Sequence, residues 1–520
     1  MFDFDAIVIG SGFGGAVCAC RLAQAGYRVI VLERGQRWNP TNFPRQIGDP
    51  WVFDPNNPVA CHGWFDFRIF PNMTVVQGAG VGGGSLVYAN ISIPAKEATF
   101  ASGWPPEITF AGMAPHYQTV GEMLEVQKVP PRQWPERTKL LKDAADRAGF
   151  HDRFEPLELA VRFDDEWHYG LTNAHGVARS QQVTNIHGVP QGTCVHLGNC
   201  DIGCDVNARN TLDLNYLAVA ERHHAEIRPL HIATGIVPEQ DGYRVSFHRI
   251  ESNALQPGSI SARLVVLGAG SLGSTELLLR CRAHQTLPGL SSRLGMGWSS
   301  NGDFLTPAIH PFRRVDPTHG PTITAAINLL DGAADGQDVF IEDGGFPGIV
   351  ENVMRRQAAS PPSDPFVRNI VESLRPLLAA NLLTDHVMPW FAQARDAADG
   401  RLTLKNDRLD LEWDIAKSRE TMDAVVRMHQ RLAQLTQGMA LTPLTWTVSH
   451  DLVTPHPLGG CNMGTAADNG VVDHKGETFG HRNLFVADGA IVPKAIGLNP
   501  SRTIAALAER IASIIVAEHR

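Results

Sequence analysis

The residues best suited to do chemistry lie late in the chain, in Thr454-Pro455-His456-Pro457-Leu458-Gly459-Gly460 and in Gly497-Leu498-Asn499-Pro500-Ser501. A residue before proline is pressed to extended backbone angles, so Thr454 and His456 are both held there. Gly459 and Gly460 then let the chain turn where side chains would clash. The result is an imidazole in a stiff loop. An imidazole titrates near neutrality, so it can take or give a proton at working pH. Asn499 followed by Pro500 and a run of helix formers is a helix start with proline in the first turn. A helix starting there aims its positive end at the histidine's surroundings and favours an anion there.

Positioning such a pair takes a scaffold, and the N-terminus supplies its first part. An apolar strand from Asp5 to Ile9 runs into Gly10, Gly12 and Gly15 at the spacing G-x-G-x-x-G. A helix follows and stops at Gly26, and a second strand, Val29 to Leu32, ends in Glu33. In that arrangement the helix N-terminus receives a pyrophosphate and the acidic residue bonds a ribose hydroxyl. An ADP-containing dinucleotide is the ligand this predicts. A second glycine surface, Gly78, Gly80, Gly82, Gly83 and Gly84 ahead of Ser85, lies between strand-like residues within Val75 to Asn90. Its exposed N–H groups suit a further phosphate or a flat ring, which a nicotinamide enzyme does not need.

Further along, Cys194, His196, Cys200 and Cys204 lack the paired spacing of a structural zinc site. They read instead as a loop entering a helix, Thr211 to Arg222. Strands follow over Ala225 to Ile236 and Tyr243 to Ile250. Gly268, Gly270 and Gly273 repeat the glycine spacing, but no second strand with a terminal acid follows. This is expected to be a strand returning to the first sheet, and one dinucleotide suffices. From 301 to 454 the pattern changes to alternating runs between turn signals: 307–312, 322–329, 339–342, 386–393, 402–405 and 409–413. They predict an antiparallel sheet backed by a helix over Ser418 to Thr436, a wall for a substrate cavity.

Bulk properties exclude some classes of function. The 520 residues carry a net charge of -9, which argues against nucleic acid as a partner. Eight cysteines, several inside apolar patterns, are too few for a disulfide scaffold. The start lacks a basic signal region and no apolar run reaches membrane-spanning length, so a cytoplasmic protein without a stable membrane span is expected. No G-x-S-x-G elbow surrounds Ser11, Ser85 or Ser271, which removes a serine hydrolase.

These motifs occur in one order: the first fingerprint with Glu33, G-A-G-V-G-G-G-S-L near 80, N-G-D at 301, H-P-L-G-G, L-F-V-A-D-G-A-I-V-P, and G-L-N-P-S-R-T-I-A-A-L-A-E-R. In this the chain resembles the glucose–methanol–choline (GMC) flavoprotein oxidoreductases, and within them the cholesterol-oxidase-like branch. The resemblance covers nearly the whole length. It implies an α/β fold, with a Rossmann-like FAD-binding domain over 1–45, 73–110, 205–300 and 455–520. An interwoven substrate domain on an antiparallel sheet would take 46–72, 111–204 and 301–454. It implies FAD, with His456 and Asn499 as the catalytic pair. The cofactor contacts would come from Gly10, Gly12, Phe13, Gly14, Gly15, Glu33 and Arg34 in the first fingerprint. The second glycine loop would add Gly78, Gly80, Gly83, Gly84, Ser85 and Asn90, with Ala233, Gly268, Asp488, Gly489, Asn499 and Pro500 from later segments. Tyr88-Ala89-Asn90 departs from the Asn-Gly-Gly of sterol oxidases, so a flavin-side asparagine is displaced or lost. Glu342 and Glu351 are the candidates for a substrate-side carboxylate, no metal is implied, and His62 is the candidate for any covalent flavin link.

The reaction implied is oxidation of an alcohol to a ketone or aldehyde, by hydride transfer to flavin N5 with His456 as base. The substrate would be a sterol, hydroxysteroid or other bulky secondary alcohol, with oxygen or another electron acceptor completing the cycle. The alternatives are a non-sterol alcohol with a non-oxygen acceptor, and a non-redox flavin-containing lyase on the same scaffold.

Overall fold

The computed structural model describes residues 2–350, 368, 372, 385–443 and 445–519. Its first layer is a seven-stranded sheet around the apolar strand Phe4–Ile9, flanked in parallel by Val29–Leu32 and Ala254–Leu267. Ile7 faces Ile30 on one side and Val265 on the other, all fully buried. Ala6–Ile9, Val29–Leu32 and Leu264–Leu267 are buried throughout, which is why these stretches read as unbroken apolar runs. Helix Phe13–Gln24 packs on one side, against Tyr216–Arg222 and the C-terminal helix Ser501–Glu518. The later glycine repeat does return to the same sheet. A Cβ on Gly268 would stand 2.5 Å from the Cα of Gly15, so the two glycine turns touch through bare backbone.

The strand expected over 225–236 is two strands. Glu226–Arg228 runs parallel to Val29–Leu32, while His231–Glu239 pairs antiparallel with Gly242–Glu251 at the other end of the strand order. Pro229 lacks an N–H for the ladder and Leu230 adopts φ +58°, which together turn the chain.

The second layer is a six-stranded antiparallel sheet, in the order Met439–Ala440, Phe304–Ile309, Val387–Ala394, Gln337–Asp343, Ala325–Ala334 and Phe154–Pro156. The amphipathic helix Arg419–Leu435 backs it through buried Met422, Val425 and Leu432. Two of the strands expected in this sheet, Gly400–Lys405 and Arg408–Glu412, instead form a hairpin paired with Met296–Trp298. Asn406 and Asp407 at its tip both have positive φ, so the tight turn closes locally rather than onto the large sheet.

A third, small sheet joins the layers. Phe65–Phe70 and Met73–Gly78 form a hairpin, and Leu452–Thr454 runs parallel to the latter, which leads Pro455 and His456 to the cavity. The boundary placed at 72/73 therefore passes through the tip of one hairpin, and that at 300/301 divides strands that pair with each other. Among the described residues no helix is long and apolar enough to cross a membrane.

Candidate active site

Between the two large sheets lies a cavity of about 1050 Å³. Sites for one small ligand span roughly 300–1000 Å³, so this one is large enough for a dinucleotide and part of a substrate.

At one end stands the first glycine turn, whose glycines have different jobs. A Cβ on Gly14 would lie 1.9 Å from the carbonyl oxygen of Ala487, and one on Gly15 would lie 2.0 Å from that of Gly10. Those glycines exist for packing. Around Gly12 the nearest atom to such a Cβ is 3.8 Å away. Gly12 begins helix Phe13–Gln24 with no side-chain cap, so its first-turn amides face open space, as a phosphate site requires. Gly10, Phe13 and Gly14 line the same stretch, while Gly15 stands behind it.

Glu33 is nearly buried and lines the cavity. Its carboxylate accepts from Ser11 N at 3.0 Å, Ser11 Oγ at 2.6 Å and Gly35 N at 2.9 Å, while burial raises its pKa. Ser11 Oγ in turn accepts from Gly82 N at 3.0 Å. Glu33 thus ties the two glycine loops together as well as facing the ribose end. Arg34 and Arg68 share the fully buried carboxylate of Asp66, at 2.6 and 2.9 Å. Ala233 and Gly268 also line this end.

The second glycine loop is a 3-10 turn, Gly83–Leu86, entered through Gly82 at φ +107°. Gly78, Gly83 and Gly84 line the cavity, but Gly80, Ser85 and Asn90 do not. Gly80 is pressed against Trp38, whose Cδ1 would sit 2.4 Å from an added Cβ. Ser85 Oγ donates to Gly82 O and accepts from Leu212 N. Asn90, at φ +68°, accepts through Oδ1 from Arg209 Nε at 2.6 Å. The buried Arg209 also donates to the carbonyls of Ser85, Leu86 and Tyr88, locking the loop from behind. Tyr88, Ala89 and Ile91 face the cavity instead of Asn90.

Asp488, Gly489 and Pro500 line the cavity as well. The Asp488 carboxylate accepts from Gly270 N at 2.8 Å, Ser274 Oγ at 2.5 Å and Ala490 N at 2.8 Å, and burial raises its pKa. It holds the two glycine-bearing segments against each other.

The imidazole of His456 is anchored by a residue that the sequence reading did not single out. Its Nδ1 lies 2.8 and 3.1 Å from the two oxygens of Asp303, and Thr454 Oγ1 donates to the same carboxylate at 2.5 Å. Asp303 is 1% exposed; burial raises its pKa, and the adjoining His456 works against that. An acceptor facing Nδ1 places the ring proton there, which leaves the Nε2 lone pair free. Asn301, two residues earlier, grips the other loop. Its Oδ1 accepts from Ile496 N and Gly497 N, both at 2.9 Å, and its Nδ2 donates to Leu498 O at 2.9 Å. The turn Asn301-Gly302-Asp303 therefore sets the placement of His456 and Asn499 together. The N-G-D triplet was visible in the sequence, but its two partners were not.

Asn499 is 4% exposed and lines the cavity, and its Oδ1 has no partner among the described residues. Glu342 does not line the cavity. It is fully buried, accepts from Gln393 Nε2 at 2.9 Å and interacts with the Asn499 amide. Burial raises its pKa well above the ordinary carboxylate value. The expected substrate-facing carboxylate is thus a brace behind Asn499. Glu351 lies outside the described residues. His62 is turned to the carbonyls of Pro58 and Val59 and does not line the cavity. All eight cysteines are free thiols, and His196 stacks on Trp167 at 3.9 Å.

An open phosphate cradle, an acidic strand end and an orphaned buried amide oxygen fit FAD, and they define a flavoprotein oxidoreductase. The GMC oxidoreductase family profile matches residues 396–508, and a NAD(P)-binding Rossmann-like profile matches 8–39. Over 98% of its length the chain is 30% identical to a cholesterol oxidase of Mycobacterium tuberculosis, covering 91% of that protein. It is 29% identical to a cholesterol oxidase of Acinetobacter baumannii, covering 95% of it. Among solved structures, pyridoxine 4-oxidase from Mesorbium loti aligns over 99% of this chain and all of that one, with TM-score 0.65 and 16% identity. The chain belongs to the GMC oxidoreductase family, in its cholesterol-oxidase-like branch. It is an FAD-dependent alcohol oxidoreductase.

Proposed function

We propose that the protein oxidises the secondary hydroxyl of a sterol, hydroxysteroid or similarly bulky alcohol to the ketone, with His456 as the base. The observation that carries this reading is the Asp303 contact, which commits Nδ1 and leaves Nε2 to accept the hydroxyl proton. Bound FAD would supply the acceptor for the hydride of the carbinol carbon, with oxygen taken as the final electron acceptor. Asn499 lines the cavity and is braced by Glu342; since the single hydroxyl proton goes to His456, Asn499 would hold the alcohol oxygen by donating to it from Nδ2, so that proton and hydride leave from one geometry. Gly12, the Gly83–Gly84 turn, Glu33 and Arg34, Ala233, Gly268 and the Asp488–Gly489 turn would hold the cofactor. The Ser501–Glu518 helix, whose N-terminus follows Pro500 at the cavity, stabilises negative charge at that end. The named substrate of the two cholesterol oxidases supports the sterol class.

The domain division carries over in the same spirit. The strands of the seven-stranded sheet fall within 1–45, 205–300 and 455–520, and those of the six-stranded sheet within 111–204 and 301–454. The test is an anaerobic screen of flavin bleaching across sterols, other polycyclic alcohols, aryl alcohols and sugars. Bleaching by aryl alcohols or sugars but by no polycyclic alcohol would overturn the substrate class. Oxygen uptake during turnover then separates an oxidase from a dehydrogenase.

A further inference from the structure

The segment around Cys200 has no role in the chemistry above, yet it puts a carboxylate in the same cavity. Asp201 occupies the short 3-10 turn Cys200–Ile202 and lines the cavity. The turn is fixed from three sides. The indole N–H of Trp64 donates to Asp201 O at 3.1 Å, Arg45 donates to the carbonyls of Ile202 and Gly203, and a Cβ on Gly203 would strike the Phe43 ring. The carboxyl group meets Thr322 Oγ1, which donates to Oδ1 at 3.2 Å. Thr322 and Ile323 lead into strand Ala325–Ala334, and Gly344 and Gly345 follow strand Gln337–Asp343. All four line the cavity on the side of the antiparallel sheet, away from the glycine turns of the dinucleotide layer.

No ion pair reaches Asp201 among the described residues; Arg209 and Arg137 act on it only at longer range. Burial lifts its pKa to about 6, so at pH 7.5 it is an ionised acceptor with one neutral donor. Asp201 is half-buried at the cavity wall, and a ligand filling the cavity would strip its water, which is costly unless that ligand brings a donor. A wall made only for a hydrocarbon skeleton would not keep a carboxylate there. We infer that Asp201, with Thr322, forms a polar subsite that accepts a hydrogen bond from a second donor group of the substrate, a hydroxyl or an amine remote from the carbinol being oxidised. The inference rests on the alcohol-oxidising reading above and narrows its substrate class to bifunctional molecules.

The test uses holoenzyme and two matched pairs of alcohols. The first pair is androst-5-ene-3β,17β-diol and androst-5-en-3β-ol; the second is 10-amino-1-decanol and 1-decanol. Apparent Kd and limiting rate of anaerobic flavin reduction are measured for the wild type, Asp201→Asn and Asp201→Leu. The expected result is about tenfold tighter binding of the donor-bearing member of at least one pair, the scale of a hydrogen bond to a charged group. That preference should shrink in Asp201→Asn and vanish in Asp201→Leu, with limiting rates for the mono-alcohols within about twofold of wild type. Equal binding within both pairs by the wild type overturns the subsite, as does a preference that survives in Asp201→Leu. FAD lost from folded Asp201→Asn would assign the carboxylate to the cofactor and overturn it too. If neither steroid bleaches the flavin while the decanol pair does, the sterol reading fails and the decanol pair still decides the subsite.

Discussion

On the dinucleotide side of the cavity the surface offered to a ligand is largely main chain, whereas on the antiparallel side it is side chain. Gly12, Gly83 and Gly84 present bare backbone, and their neighbours Gly14, Gly15 and Gly268 are glycine because backbone stands within 2.5 Å of any added Cβ. Across the cavity Asp201, Leu305, Thr322, Ile323 and Phe391 line it from strands, the approach to a strand and one turn, with Asp303 and Glu342 standing behind as supports. A backbone surface recognises what nearly all members of a cofactor class share, a pyrophosphate and a flat ring. A side-chain surface can be exchanged one residue at a time without moving the sheet beneath. The first wall is therefore expected to fail as a fold, and the second as a chemistry.

The sharpest break in that contrast is Gly14→Val. Its side chain has nowhere to go against Ala487, so the protein should be insoluble or colourless on purification. At Gly12 an added Cβ makes only ordinary contacts, the nearest atom 3.8 Å away, so Gly12→Val should fold while losing FAD, read as normal circular dichroism without the flavin absorbance. If both variants behave alike, the division of labour between the two glycines is wrong.

Next in size is His456→Ala, which should stay yellow and folded while kcat falls roughly 10²–10⁴-fold, the usual reach of general base catalysis. Unchanged turnover would remove His456 from the chemistry. Asp303→Asn should cost about 10–100-fold in kcat, since an amide N–H turned toward Nδ1 moves the ring proton to Nε2. Asp303→Glu should recover part of that loss, which a purely packing role would not produce.

Glu342 separates brace from acid. Because burial disfavours its charged form, Glu342→Gln should leave kcat within about tenfold of wild type, whereas Glu342→Ala should lose more by freeing Asn499. Equal, severe losses in both would restore a proton-transfer role.

The smallest effect concerns stability. The folded Asp201 keeps its proton up to about pH 6, while the unfolded chain releases it near pH 4. The native state thus binds more protons across that window, and its stability falls as pH rises through it. Asp201→Asn escapes the fall, so its Tm advantage over wild type should be small at pH 4.5 and larger at pH 7.5. An advantage that does not change with pH would place the carboxyl in solvent.

How much was legible in advance follows the same division. The first fingerprint, the second glycine loop, His456 and Asn499, all of which reach the cavity, could be singled out because each is a run of neighbours whose spacing has a physical meaning. The errors came where the chain's path in space decides. Ser85 and Asn90 belong to the glycine motif by sequence, yet the 3-10 turn directs them inward to Leu212 and Arg209. The strands Gly400–Lys405 and Arg408–Glu412 alternate like those of the large sheet and pair elsewhere. Glu342 is a carboxylate on a predicted strand, and period-two alternation does not say which face meets the cavity.

By itself, then, the sequence determined the class of cofactor and singled out the imidazole proposed to act as base. Glycine spacing and proline-locked backbone are local constraints that act within a few residues. Only the tertiary structure decided what stands behind that imidazole and opposite it. The His456–Asp303 contact spans 153 positions, that of Asn301 with Gly497 spans 196, and that of Asp201 with Thr322 spans 121. Contacts of that range arise from how two sheets pack, a property no window of neighbouring residues contains.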